Sequence, residues 1–204
     1  FIMLIEAALM LLPVAVSIIY SEAAGKYFGL SVIINAAIGL PLAMMKVKNP
    51  NMYAREGFVI VAMSWLTITF MGCLPFVFSG EIPSFIDAFF ETVSGFTTTG
   101  ASILKNVEGL SKCMLFWRSF THWIGGMGIL VFMLAVLPVI GGGSSVHILR
   151  AESTGPSVEK MTPKLSTTAK HLYIIYAALT VIMIIMLKFD PKMPFFDAIV
   201  NSLG

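Results

Sequence analysis

The residues best able to do chemistry in this chain form one short polar strip, Thr97-Thr98-Thr99-Gly100-Ala101-Ser102, set between long apolar stretches. Threonines and small residues ending at a glycine suit an extended backbone whose carbonyls face a common axis. Rings of such carbonyls can replace the hydration shell of a monovalent cation. Gly100 has no Cβ and can take backbone angles that strain other residues. The segment before the strip, Ile82–Phe96, reads as a short helix, with Pro83 in its first turn and Gly95 at its end. Its C-terminal end would bring about half a negative charge to the strip, which also favours a cation. A Thr/Ser/Gly run is equally the composition of an ordinary loop, and the six residues alone leave both readings open. On the cation reading Thr98, Thr99, Gly100 and Ala101 coordinate through main-chain carbonyls, and Thr97, Ser102, Glu91 and Arg118 support them.

Other candidate groups are weaker. Arg118 falls in or near the outer end of an apolar run, where a bare charge is expensive. It could brace against Glu91, Asp87 or carbonyls of the strip, snorkel to the interface, or act in permeation. Asp87 and Glu91, four apart on one helical face, read as a cation-attracting or bracing pair and not as an acid and a base. His122 stands beside Trp123, and His122, His147 and His171 lack metal-ligand spacing. Cys73 and Cys113 are isolated in apolar surroundings. Gly125, Gly126 and Gly128 permit either tight helix packing or a hinge. No phosphate-binding loop, dinucleotide fingerprint, Ser/His/Asp arrangement or paired-carboxylate site is present in the sequence.

The elements that must hold the strip follow from composition. Of 204 residues, 57% are hydrophobic and 12% charged, roughly half the charge of a soluble domain. This implies a multi-span membrane protein and excludes a cytosolic enzyme, a disordered tail and a nucleic-acid-binding protein. Two cysteines exclude a disulfide-built secreted scaffold. Apolar runs at Ile2–Tyr20, Phe28–Met45, Gly57–Phe78, Leu115–Ile140 and Leu172–Leu187 are long enough to span. Ile82–Phe96, at about 22 Å as a helix, is too short to cross and reads as re-entrant. Basic residues agree: Lys46, Lys48 and Arg55 in one loop and Arg150, Lys160, Lys164 and Lys170 in another make seven of the 13. Both loops face the cytoplasm by the positive-inside rule only if the strip region dips in and returns. The N-terminus then lies in the cytoplasm. It lacks a basic leader and starts at Phe1, as a segment cut from a longer protein would.

The run Phe90-Glu91-Thr92-Val93-Ser94-Gly95-Phe96-Thr97-Thr98-Thr99-Gly100-Ala101-Ser102 resembles the first pore loop of the Trk/Ktr/HKT superfamily of potassium transporters. Trp117-Arg118-Ser119 and Trp123-Ile124-Gly125-Gly126-Met127-Gly128-Ile129 resemble the helix that follows it. Ile148-Leu149-Arg150-Ala151-Glu152-Ser153, Gly155-Pro156 and Lys160-Met161-Thr162-Pro163-Lys164-Leu165 resemble the cytosolic connector of the bacterial TrkH-type subunit. The resemblance covers nearly the whole chain. It implies an all-α polytopic membrane protein built from helix–pore-loop–helix repeats of potassium-channel-like type. The expected layout is an extra helix pair over 1–56, the first repeat over 57–140, a cytosolic connector over 141–170 and the start of a second repeat over 171–204. Phe85-Ile86-Asp87-Ala88 and Phe195-Phe196-Asp197-Ala198 match in type and mark the two half-helices.

The implied function is potassium uptake across the bacterial inner membrane, as pore-forming subunit and not as an enzyme. Potassium would be the substrate, held at Thr98 and Thr99, with no covalently bound cofactor. The implied partners are the lipid bilayer, a cytosolic nucleotide-binding regulatory subunit docked on the connector, and a second copy in a homodimer; no nucleic acid is implied. Three alternatives stand beside this. The same fold could carry sodium or another monovalent cation, the chain could be a non-conducting helical interaction protein, or it could be a membrane enzyme using Glu91 and His122. The enzyme alternative requires those two side chains to converge on a polar cavity.

Overall fold

A computed structural model describes residues 1–45, 54–140 and 161–204, except for the side chains of 54–58, 129–140 and 161–168. The basic loop at Lys46 and Lys48, the side chain of Arg55, and the connector with His147, Arg150 and Lys160 therefore lie outside the described residues, as does the side chain of Lys164.

Among the described residues all regular structure is helical: α1 (Ile2–Leu9), α2 (Leu11–Ile19), α3 (Gly25–Met44), α4 (Ala54–Gly72), α5 (Leu74–Ser79), α6 (Phe85–Phe96), α7 (Lys112–Ile140), α8 (Met161–Lys188) and α9 (Phe195–Leu203). Ile2–Ile19, Gly25–Met44, Val59–Ser79 and Ala169–Lys188 are long and apolar enough to cross a membrane. At 29 residues α7 extends about 43 Å. The four spans match four of the five apolar runs of the sequence, and the fifth run, Leu115–Ile140, falls within α7.

Prolines subdivide two of the runs. Pro13 lies third in α2, where its ring opposes the carbonyl of Leu9, the last residue of α1. Pro75 sits in the first turn of α5, and the run Gly57–Phe78 accordingly breaks between α4 and α5 at Cys73. Gly80, in the left-handed region at φ 75°, then ends α5. Pro83 differs from expectation: it lies outside α6. Ser84 is the N-cap, and its hydroxyl accepts from the amide of Asp87 at 3.4 Å.

The chain divides into two compact units, Phe1–Trp123 with Leu203–Gly204, and Ile124–Ser202. In the first, α3 packs along α1 and α2, and α4 contacts α1 and α6. Its core is aromatic. Trp117 is fully buried, edge-on to Phe28 at 6.1 Å and to Phe96 at 6.5 Å, and its indole N–H donates to the Gly72 carbonyl at 2.9 Å. Cys73 and Cys113 are buried and free. In the second unit, a Cβ on Gly126 would lie 2.7 Å from the Tyr176 hydroxyl, so this glycine permits close packing of α7 on α8.

The two half-helices share a local pattern 110 residues apart. α6 starts at Phe85 and α9 at Phe195, with Asp87 and Asp197 in their first turns. The Thr92 hydroxyl donates to the Ala88 carbonyl at 2.8 Å, and the Ser202 hydroxyl donates to the Ala198 carbonyl at 2.6 Å.

Candidate functional site

The strip begins where α6 ends, and the ending is unusual. Thr97 caps the helix, the Thr98 amide donates to the Gly95 carbonyl at 2.9 Å, and the Thr99 amide donates to the Ser94 carbonyl at 2.9 Å. This is the Schellman pattern, which ordinarily places glycine at its left-handed position. Here that position is Thr98, at φ +56°. A β-branched residue there is a true outlier, costing about 1–2 kcal/mol relative to a right-handed conformation. Gly100 is also left-handed at φ +74°, whereas Thr99 and Ala101 are not. The sign of φ thus alternates from Thr97 through Ala101, and the plain extended conformation expected from the threonines does not form.

The carbonyls of the strip fall into two groups. That of Thr97 accepts from the Thr98 hydroxyl at 2.7 Å, and that of Ala101 accepts from the Ser94 hydroxyl at 2.6 Å. Among the described residues no donor reaches the carbonyls of Thr98, Thr99 or Gly100, all three in exposed residues. The Thr97 and Thr99 hydroxyls pair with each other at 2.8 Å. Ala101 therefore keeps one lone pair, and the three preceding carbonyls keep both.

A buried carboxylate holds the strip in place. Glu91 is 1% exposed, and its Oε1 accepts from the Ser102 hydroxyl and from the Ile103 amide, both at 2.6 Å. Its Oε2 takes the Arg118 Nε at 3.0 Å. One side chain thus joins the half-helix, the exit of the strip and α7. The pair satisfies the rule that a buried charge is partnered. Arg118 has found the Glu91 carboxylate, and Asp87 stays in the first turn of α6. The Arg118 carbonyl accepts from the Thr121 hydroxyl at 2.6 Å and lies 3.0 Å from Nδ1 of His122. The carboxylate oxygens of Glu91 are engaged by Ser102, Ile103 and Arg118, and among the described residues no hydrogen bond joins Glu91 to His122, the pair on which the enzyme alternative relies. A Cβ on Gly95 would overlap the Thr121 hydroxyl, so this glycine sets how closely α6 approaches α7.

Two further carboxylates fix the start of α7. Glu81 accepts from the Ser111 amide at 2.8 Å and hydroxyl at 2.7 Å. Glu22, from the turn between α2 and α3, accepts from the amides of Lys112 at 2.8 Å and Cys113 at 2.9 Å. Both neutralise orphan donors at a helix N-terminus, where negative charge is favourable. Sequence reading missed Ser94, Trp117, Glu22 and Glu81. Trp117 and Ser94 lie inside runs quoted for the resemblance, but nothing local pairs Trp117 with Gly72, 45 residues away, or Ser94 with the Ala101 carbonyl. The capping role of Glu22 depends on a partner about ninety residues away.

A family model described as TrkH, cation transport protein, matches residues 24–203. The Trk system potassium uptake protein TrkH of Salmonella typhimurium is 42% identical over 199 residues, covering 96% of this chain and 41% of that protein. The Trk system potassium uptake protein TrkG of Escherichia coli K12 is 35% identical over 199 residues. The crystal structure of the potassium transporter TrkH from Vibrio parahaemolyticus superposes with a TM-score of 0.78 at 33% identity, covering 98% of this chain and 40% of that one. The chain thus spans about two fifths of the length of the relatives it matches.

Proposed function

This chain belongs to the TrkH family of cation transport proteins, an assignment that agrees with the expected helical membrane fold and with a protein that is not an enzyme, and from it we propose that the chain forms part of a potassium uptake pathway. The strip Thr98–Ala101 is the ion-coordinating wall, acting through main-chain carbonyls, with potassium held at Thr98 and Thr99. The observation that carries this reading is the run of three exposed carbonyls, at Thr98, Thr99 and Gly100, with no protein donor among the described residues. Acceptor oxygens left without protein donors suit a desolvated cation. Glu91, Arg118, Ser102 and Thr97 act as supports by fixing both ends of the strip.

One strip provides one sector of a ring, so conduction needs further strips beside this one. The matching start of α9 supports 171–204 as the beginning of a second repeat, with 1–56 as an added helix pair, 57–140 as the first repeat and 141–170 as a cytosolic connector. The family relatives support the bacterial inner membrane as its location, with the N-terminus in the cytoplasm by the placement of the basic loops. A nucleotide-binding regulatory subunit on the connector and a homodimer belong to the same proposal. The potassium reading is taken ahead of the sodium alternative because the relatives named above are potassium proteins.

The test is uptake by the full-length protein in cells lacking other potassium uptake. Gly100→Leu should abolish it. A Cβ at this position meets open space, so the defect would come from backbone conformation and crowding of the path, not from a disrupted core. Wild-type uptake by Gly100→Leu would overturn the assignment.

A further inference from the structure

Glu6 lies on α1 with 3% exposure, and neither of its carboxylate oxygens has a donor among the described residues. On α3, which packs along α1, Asn35 is fully buried; its amide nitrogen donates to the Ser31 carbonyl at 3.2 Å, and its oxygen is likewise unmatched. Among the described residues, the buried polar side-chain atoms left without a partner are all acceptors: the two oxygens of Glu6 and Oδ1 of Asn35. A Cβ built on Gly72 would lie 3.0 Å from Glu6 Oε1, 3.0 Å from the Phe96 ring and 3.1 Å from the Thr92 methyl. The carboxyl therefore sits where α1, α4 and α6 meet, against the back of the half-helix that carries the strip.

The nearby donors are directed elsewhere. The Cys73 thiol bonds to the Phe70 carbonyl at 3.1 Å, the Thr92 hydroxyl to the Ala88 carbonyl, and the Trp117 indole to the Gly72 carbonyl. Nor, among the described residues, does a packed element offer a countercharge. On α3 the one charged residue is Lys26, at the end that meets Ser17, about three turns from Glu6. On α4, Arg55 and Glu56 begin the helix and Gly72 ends it, about 25 Å away. α2 has no charged residue, and on α6 Glu91 is engaged by Arg118, with Asp87 a turn nearer the start. An ionised carboxylate left so would carry the full cost of desolvation with nothing to offset it.

We propose that Glu6 is a proton-binding site, its carboxyl held as the neutral acid at the seam between the N-terminal helices and the half-helix. The bound proton removes the charge that this buried, unpartnered carboxyl would otherwise carry. Release of the proton places a bare charge beside Gly72, on whose Cβ position Thr92 and Phe96 of the half-helix also converge, so proton occupancy bears on how the half-helix is seated. The site is separate from the ion-coordinating strip and does not depend on the uptake reading.

The test reads protonation, not transport. In the full-length protein in lipid, infrared spectroscopy with isotope-labelled glutamate should show a protonated carboxyl band that survives above neutral pH, is lost in Glu6→Gln, and is unchanged when potassium is exchanged for sodium or choline. Absence of any band lost in Glu6→Gln would overturn the proposal, as would a band that appears only when metal cations are withdrawn. Should Glu6→Gln fail to fold, dicyclohexylcarbodiimide, which modifies protonated carboxyls in apolar surroundings, applies to the wild-type protein. Labelling of the Glu6 peptide that slows as pH rises supports the site, and no labelling at Glu6 at any pH overturns it.

Discussion

Replacing Glu91 by alanine removes three contacts at once: the Ser102 hydroxyl and Ile103 amide at 2.6 Å and the Arg118 guanidinium at 3.0 Å. Hydrogen bonds to a charged group contribute about 1.5–3 kcal/mol each, and removing one partner of a buried ion pair costs about 3–5 kcal/mol. The contributions share one side chain and do not add. The Arg118 side chain is 13% exposed, so water relieves part of the loss. A total of about 3–5 kcal/mol follows, a large share of the roughly 5–15 kcal/mol by which folded proteins are stable. Both ends of the strip would lose their fixed spacing, and uptake by Glu91→Ala should be lost. Glu91→Gln separates the terms: its amide oxygen still accepts from Ile103 and Ser102, while its NH2 group faces the guanidinium, donor to donor. Uptake should be intermediate. Adding Arg118→Gln should recover part of the Glu91→Gln defect, with a coupling of about 0.5–3 kcal/mol. Initial rates of rubidium uptake at equal membrane expression, with a thermal midpoint for each variant in detergent, measure both effects. Wild-type uptake by Glu91→Ala, or Glu91→Gln no better than Glu91→Ala, would refute the reasoning.

Three further outcomes are expected. Gly95→Ala brings a Cβ onto the Thr121 hydroxyl and should destabilise the protein by about 1–3 kcal/mol, read as a lower thermal midpoint, with partial recovery in Gly95→Ala/Thr121→Ala. Glu22→Ala removes the carboxylate that accepts from the Lys112 and Cys113 amides and should cost about 0.5–2 kcal/mol, seen as earlier thermal unfolding with ion preference unchanged. Thr98→Ala keeps the carbonyl and loses only the hydroxyl bond to Thr97, so its uptake should exceed that of Gly100→Leu in the same assay; the reverse order would argue against main-chain coordination.

Much of the frame was legible because it rests on local rules. Apolar run length marks the spans, the shortness of Ile82–Phe96 marks a half-helix, and α6 ends at Phe96 as Gly95 suggested. Glu91 and Arg118 were legible as candidates, since charges inside apolar runs demand partners. Which carboxylate Arg118 would choose was not, because Asp87 and Glu91 differ by one turn and only packing separates them. The helix break before Pro75 was legible in principle and was passed over, as apolar character continues through it. The left-handed Thr98 could not be foreseen. Its residue type argues against that conformation, and the two bonds from Thr98 and Thr99 back to α6 hold it there. Glu6 is legible as a charge inside the first apolar run, but which helices close around it is not, because that depends on packing far along the chain.

The cap on α7 has a consequence for biogenesis. Glu22 leaves the ribosome long before Lys112 and Cys113, which it meets across 90 and 91 positions of sequence. Chains are made from the N-terminus at about 5–20 residues per second, so the acceptor waits in the membrane for several seconds before its donors emerge. During that interval α1 to α3 can already pack on one another, since their contacts are local. The N-terminal helices then present a preformed anionic seat for the incoming end of α7, and placement of that helix becomes templated docking instead of a search.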